Sequence, residues 1–184
     1  MIMRIDFVGY EFQQDKCKKV YVNDLVIVVE KLVEVGGERK WERQYYDFLC
    51  SDISSGKNDF HYVKAALKWM VEHDLFGEVK QIILFSDNAG KHFKNCNTVE
   101  YLMYLAVSLQ LRFLWIMYAP NHGWGLCDSH GGILSQMVYK ADLNDNLPDT
   151  ATKMQQLIQN SNFTNTNATV STFQAHLTKI FELD

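Results

Sequence analysis

The 184 residues predict an α/β fold, a layered domain with a mixed sheet of five strands flanked by helices. Three observations carry that expectation. β-Branched segments crowd the first fifty residues. Two later apolar runs are each followed by a stretch with helical periodicity. Turn residues fall between these segments, giving the order β-β-β-α-β-α-β-α.

Each element has its own reason. Residues 1–9 are apolar and β-branched apart from Arg4 and Asp6, which predicts a strand with an acid on one face. Val20 to Val29, with Val-Tyr-Val and then Leu-Val-Ile-Val-Val, is too β-branched for a comfortable helix, and Gly36-Gly37 supplies a turn after it. Tyr45 to Cys50 reads as a third strand, ended by the polar run from Ser51 to Gly56. Asp59 can cap a helix to about His73 that places Val63, Ala66, Leu67, Met70 and Val71 on one face. Val79 to Phe85 reads as a fully buried central strand, Thr98 to Leu109 as a buried helix, and Leu111 to Tyr118 as a fifth strand. Asp128 then caps a helix to about Ala141, and further helices are expected near 150–159 and 171–182, around an Asn/Thr-rich loop from Asn160 to Thr169. One domain is expected over 1–184, with a core to residue 141 and a C-terminal helical extension over 142–184.

Composition narrows the function. The chain is 47% hydrophobic and 13% aromatic, the balance of a protein with a full core. No run of about 18 apolar residues suits a membrane span, and an acid at Asp6 interrupts any secretory leader, so an intracellular protein, nuclear or cytoplasmic, is expected. Cys17, Cys50, Cys96 and Cys127 are widely spaced and read as free thiols. A net charge of −4 argues against a simple nucleic-acid-binding module, because phosphate neutralisation normally requires a basic excess. Clustered acids holding metal ions would reconcile an acidic chain with DNA.

Three acids stand where the element order makes them converge. Asp6 lies within the first strand, Asp87 directly follows the fourth, and Asp128 opens the helix after the fifth. If the first and fourth strands are neighbours, Asp6 and Asp87 lie side by side. Three carboxylates so close repel one another. Two Mg²⁺ or Mn²⁺ ions roughly 3.5–4 Å apart would remove that conflict and stabilise in-line phosphoryl displacement. Asp142, Asp145 and Glu182 are the fallback third acids.

At these acids the chain resembles a known family. Ser86-Asp-Asn-Ala-Gly-Lys-His-Phe-Lys-Asn95 is similar to a signature of eukaryotic DDE/DDD transposases of the Kolobok-like kind, and Asn121 to Gly132 resembles that family's second glycine-rich block. Asp6-Phe7 and Ser51-Asp52 with Asn58-Asp59 resemble its upstream motifs. The resemblance implies a ribonuclease-H-like three-layer fold and metal-dependent DNA cleavage and strand transfer, with Asp6, Asp87 and Asp128 as catalytic metal ligands. Its implied partner is DNA at transposon ends. The chain carries Trp124 and Ser135-Gln136 where the family is usually basic, so it is expected to bind DNA weakly alone, with a separate DNA-binding domain or a second copy assisting.

Other residues carry paired readings. Lys91, His92 and Lys94 either meet the DNA backbone or belong to a solvated loop, and His122 either orients its loop or touches the DNA substrate. Cys127-x-x-His130 has zinc-like spacing, but a fourth ligand could come only from Cys96 or His92, so zinc is not expected. Phe93, Trp41, Trp69 and Trp115 are expected in the core, and Gly131-Gly132 can let a helix sit close to the sheet. Two rivals to the transposase reading remain: a catalytically silent remnant serving as an interaction domain, and a ribonuclease-H-like nuclease without transposition.

Overall fold

Among the described residues the elements run β1 (Ile2–Asp15), β2 (Lys18–Val35), β3 (Glu38–Cys50), α1 (Phe60–Glu72), β4 (Gln81–Ser86), α2 (Cys96–Ser108), β5 (Arg112–Met117), α3 (Leu126–Asp142), α4 (Ala151–Gln159) and β6 (Thr166–Thr169). The structure is a computed structural model that describes residues 1–15, 18–50, 60–87, 93–118, 125–144, 146–161 and 166–169. The strands form one mixed sheet in the order β5-β4-β1-β2-β3-β6. β2 is antiparallel to both β1 and β3, whereas β1–β4, β4–β5 and β3–β6 are parallel pairs. No helix is long and apolar enough to cross a membrane, among the described residues.

The five expected strands are present, and β6 lengthens the sheet at the edge of β3. The Asn160–Thr169 tract, expected as a loop, supplies that strand. Parallel pairing of 166–169 with Tyr45–Phe48 uses backbone groups and makes no demand on hydrophobic pattern. For the same reason the first three strands outrun their apolar stretches. The β2–β3 ladder continues to Val35 and Glu38, closed by Gly36 and Gly37 at φ +63° and +81°, a two-residue turn that needs positive φ at both positions.

Alternation along the strands divides the core between two faces. Met3 and Ile5, Leu25, Ile27 and Val29, with Tyr46 and Phe48, meet α1 and α2 through Val63, Ala66, Leu67, Met70, Leu102 and Leu105. Phe93 is buried in this layer, and Trp69 and Trp115 are partly buried against it. On the opposite face Val22, Val26, Val28 and Leu49 meet Cys127, Leu134 and the α4 residues Met154 and Ile158. The result is helices on both sides of a sheet.

Coverage is uneven, and here several expectations change. α2 buries only Thr98, Leu102 and Leu105, leaving Val99, Met103, Tyr104 and Val107 exposed, so it is a surface helix. β4 is buried on one face and only half-buried on the other, because α3 lies over β1 and β2 rather than over the β4–β5 edge. Leu114 and Ile116 of β5 are exposed there. Trp41 is also exposed, since it sits on the part of β3 that projects past the helices. The expected helix over 171–182, the cap at Asp59 and the Ser51–Gly56 segment lie outside the described residues.

Helix starts follow local chemistry. Asn95 caps α2 by accepting from the Thr98 N–H at 2.9 Å, and Thr150 caps α4 by accepting from Lys153 N–H at 3.2 Å. α3 begins at Gly125 rather than Asp128. Asp128 occupies the third helical position, and its Oδ2 accepts from the Gly125 N–H at 2.9 Å.

The two helical glycines separate cleanly. A Cβ at Gly131 would stand 2.9 Å from Val8 Cγ2 and 3.1 Å from Val8 Cγ1, and a β-branched side chain is stiff at χ1 and yields little. At Gly132 a Cβ would meet nothing within 4 Å. Gly131→Ala is therefore expected to destabilise by about 1–3 kcal/mol through overpacking. Gly132→Ala should stabilise by about 0.5–1 kcal/mol through helix propensity. Urea titrations of the two variants check the opposed signs.

Candidate functional site

The parallel pairing of β1 with β4 ends at Ile5 beside Ser86, so the next position on each chain holds Asp6 and Asp87. Their strands share a face on which Arg4 and Phe85 are also register partners. Asp6 is half-buried, and its Oδ1 accepts the Phe7 N–H at 2.8 Å. Ser86 is buried behind Asp87. Its hydroxyl donates to the Asp87 carbonyl at 3.0 Å and accepts from Trp115 Nε1 at 2.9 Å, which ties the end of β4 to β5. Asp128 reaches the same region from the exposed first turn of α3, where the helix dipole favours a negative charge.

Asp6 is within electrostatic reach of both other acids. Burial, and then the charges of Asp87 and Asp128, push the Asp6 carboxyl up to about 6, against the opposing pull of the Phe7 N–H. Cys127, beside Asp128, is raised as well, first by burial and then by Asp6 and Asp128. A cleft of about 560 Å³ opens beside the acids, lined by Arg4, Tyr118, Gly125, Leu126, Asp128 and Ser129. A much smaller hollow that shares Arg4, Tyr118, Gly125 and Leu126 with it is lined by Asp6 and Phe85. Arg4 is the cation that lines this cleft among the described residues. Its guanidinium lies 5.3 Å from the Phe85 ring centre and is paired with Glu30. The cleft stands at the carboxyl ends of β4 and β5, the position where parallel strands in open α/β sheets present ligand sites.

Carboxylate oxygens are the donor chemistry that Mg²⁺ or Mn²⁺ takes, so the residues fit such ions in kind. As placed, no group of three or more His, Cys, Asp or Glu side chains could hold a metal ion, among the described residues. Asp128 turns one oxygen back to its own helix start. Lys94 is exposed in the turn before α2, while Lys91, His92, His122 and Trp124 lie outside the described residues. Of the fallback acids, Asp142 is at the far end of α3 from Asp128, and Asp145 and Glu182 are outside the described residues.

A second polar cluster was not anticipated. Asp24 and Asp47 are fully buried on β2 and β3, and His130 of α3 is 2% exposed. His130 Nε2 donates to Asp47 Oδ1 at 2.7 Å, and Tyr45 stacks on the imidazole at 4.6 Å. Burial, and then the adjacent Asp47, hold the Asp24 carboxyl well above the usual range. Zinc-like spacing drew attention to His130 and Cys127. The structure instead gives His130 to Asp47, and Cys127 is a core residue whose thiol donates to the Val26 carbonyl at 3.7 Å. The signal for the cluster was available: Asp24 and Asp47 interrupt apolar strands just as Asp6 does.

The fold and its two acidic clusters define a layered α/β domain with an open carboxylate cleft on one sheet face. Residues 10–181 match a domain of unknown function, DUF8701, and the chain belongs to that family. No curated protein matches it.

Two outcomes follow from these charges. Because the folded Asp6 holds its proton to about pH 6 and an unfolded aspartate releases it near 3.8, its stabilising contribution is complete below that lower value and lost as pH rises to about 6. In metal-free buffer, Asp6→Asn should melt like the parent below about pH 4, gain on it between about 4 and 6, and keep a constant advantage above. Thermal melts at stepped pH read the difference; a flat difference would remove the electrostatic account. Separately, His130→Ala should cost about 3 kcal/mol, because it strands a buried carboxylate, and chemical denaturation measures it.

Proposed function

We propose that this domain is a ribonuclease-H-like, metal-dependent DNA nuclease and strand transferase of transposase type. The carrying observation is that the charges of Asp87 and Asp128 both act on Asp6, beside a cleft at the carboxyl ends of parallel strands that Asp128 lines. The strand order adds support. Three strands joined as antiparallel hairpins, then two parallel strands reached through helices, is the sheet arrangement of the ribonuclease-H-like fold. The sequence motifs around the acids resemble those of the transposases, as set out above.

Divalent ions bound here would activate a water or a 3′-hydroxyl and offset charge on the scissile phosphate. The chain's own residues do the rest. The Phe7 N–H fixes the orientation of Asp6, the Trp115–Ser86 link steadies the strand end that carries Asp87, and α3 brings Asp128 across the cleft. Arg4 lines the cleft as a source of positive charge for a phosphate. With a net charge of −4 the chain would hold DNA weakly, and a DNA-binding domain or a second copy would supply the remaining affinity. That role belongs in an intracellular setting, nuclear or cytoplasmic.

A second reading is favoured by one observation. Asp128 serves its helix start, and no ready metal cage stands among the described residues, which suits a silent remnant acting as an interaction domain.

Metal binding separates the two. With Mn²⁺ or Mg²⁺ at about ten times its dissociation constant, the parent should melt about 3–6 °C higher, because ions that bind only the folded state stabilise it. Asp87→Asn should lose most of that gain. Equal shifts in parent and variant, or none, would leave the remnant. Supercoiled plasmid with Mn²⁺ then distinguishes nicking alone from joining of a 3′ end to target DNA.

A further inference from the structure

The β2–β3 ribbon continues past the point where β1 stops pairing, at Ile2 beside Glu30. β6 covers the outer edge of β3 only from Tyr45 to Phe48. The edge from Glu38 to Gln44 therefore has no strand partner among the described residues. Such an edge invites pairing with another strand. Its midpoint is Trp41, 59% exposed, and directly across the ribbon lies Leu32, 49% exposed.

We infer that a second copy of this chain pairs on this edge, antiparallel, about a two-fold axis at Trp41. The axis stands perpendicular to the sheet, which preserves each face, so residues of like parity meet. Centred on Trp41, this register uses the whole edge left without a strand partner among the described residues, and sets Glu38 against Gln44 and Lys40 against Glu42 of the second copy. On one face a strip runs Leu32–Trp41–Trp41–Leu32 across the four strands. On the other, Lys31 lies opposite Glu42 within each ribbon, so the pairing reads Lys31–Glu42–Lys40 with alternating sign. Arg39 meets Arg43 of the second copy, and each has a glutamate across its own ribbon: Glu34 opposite Arg39, and Glu30 bound to Arg43 at 2.8 Å.

Neighbouring registers are worse. A centre at Lys40 puts Glu38 on Glu42 twice and Lys40 on itself, and a centre at Glu42 sets that carboxylate against its own copy. Both place like charges directly opposite, which is destabilising. The interface is isologous and closes at two copies. It does not depend on the reading of the aspartate cleft.

Sedimentation velocity of the full chain tests the pairing. Dimer should appear in the micromolar range, between about 1 and 100 µM, as suits a small interface. Lys40→Glu and Glu42→Lys should each raise the dissociation constant about tenfold, because two attractive cross-strand pairs become repulsive. The double variant restores opposite signs and should recover most of the parent's affinity. Trp41→Ser should abolish association while its melt stays near the parent's, since the side chain is exposed. A chain that stays monomeric to about 500 µM overturns the inference, as does a dimer indifferent to Trp41→Ser or a double variant no better than the singles. Trp41→Ser that weakens DNA binding without changing the mass would assign the ribbon to nucleic acid instead.

Discussion

The seating of α3 on the sheet governs both the fold and the candidate site. Gly131 brings the helix within contact of Val8 on β1, Cys127 reaches the Val26 carbonyl on β2, and His130 reaches Asp47 on β3. Three successive strands are thus gripped from little more than one helical turn. Because the grip brackets Asp128, it also sets where that carboxylate stands relative to Asp6. Packed interiors have no slack to absorb a methyl group at Gly131, so helix position and acid position are one variable.

Two clusters of acids occupy the same sheet face, and the protein treats them differently. Asp24 and Asp47 are sealed in, where the cost of burial is met by His130 and by the proton that Asp24 retains. Such a cluster contributes little net stability but makes other seatings of α3 expensive, since each would strand a charge. Asp128 lines instead an open cleft, with Asp6 in the smaller hollow beside it, and the Arg4 of that cleft is already paired with Glu30. There the charges of Asp87 and Asp128 add to burial in raising the Asp6 carboxyl.

The candidate acids were legible because an ionisable group inside an apolar strand demands a reason. That criterion found Asp6 and applied equally to Asp24 and Asp47, where it went unused. Motif spacing raised zinc for His130 only to set it aside, and what the sequence missed is its buried carboxylate partner, Asp47. Trp41 shows a related failure. Tryptophan is usually drawn into cores by its area, yet whether a core exists at a given height along a strand depends on where the helices stop. α2 and β4 were read as fully buried for the same reason: apolar content was visible, but the number of layers over each face was not.

By itself the sequence determined the element order from β1 to α4, the turn at Gly36-Gly37, a helix near 150–159 and the placement of acids on a first strand, after a fourth and on the helix that follows the fifth. These are local properties, set by side-chain period, backbone restriction and capping chemistry within a few residues. Only the tertiary structure decided that β1 lies beside β4 and sets Asp6 next to Asp87, that α3 covers β1 and β2 while leaving β5 bare, and that 166–169 completes the edge of β3. Those outcomes are set by backbone pairing and close packing between segments far apart in the chain. No local pattern encodes which surface a strand or helix will find available.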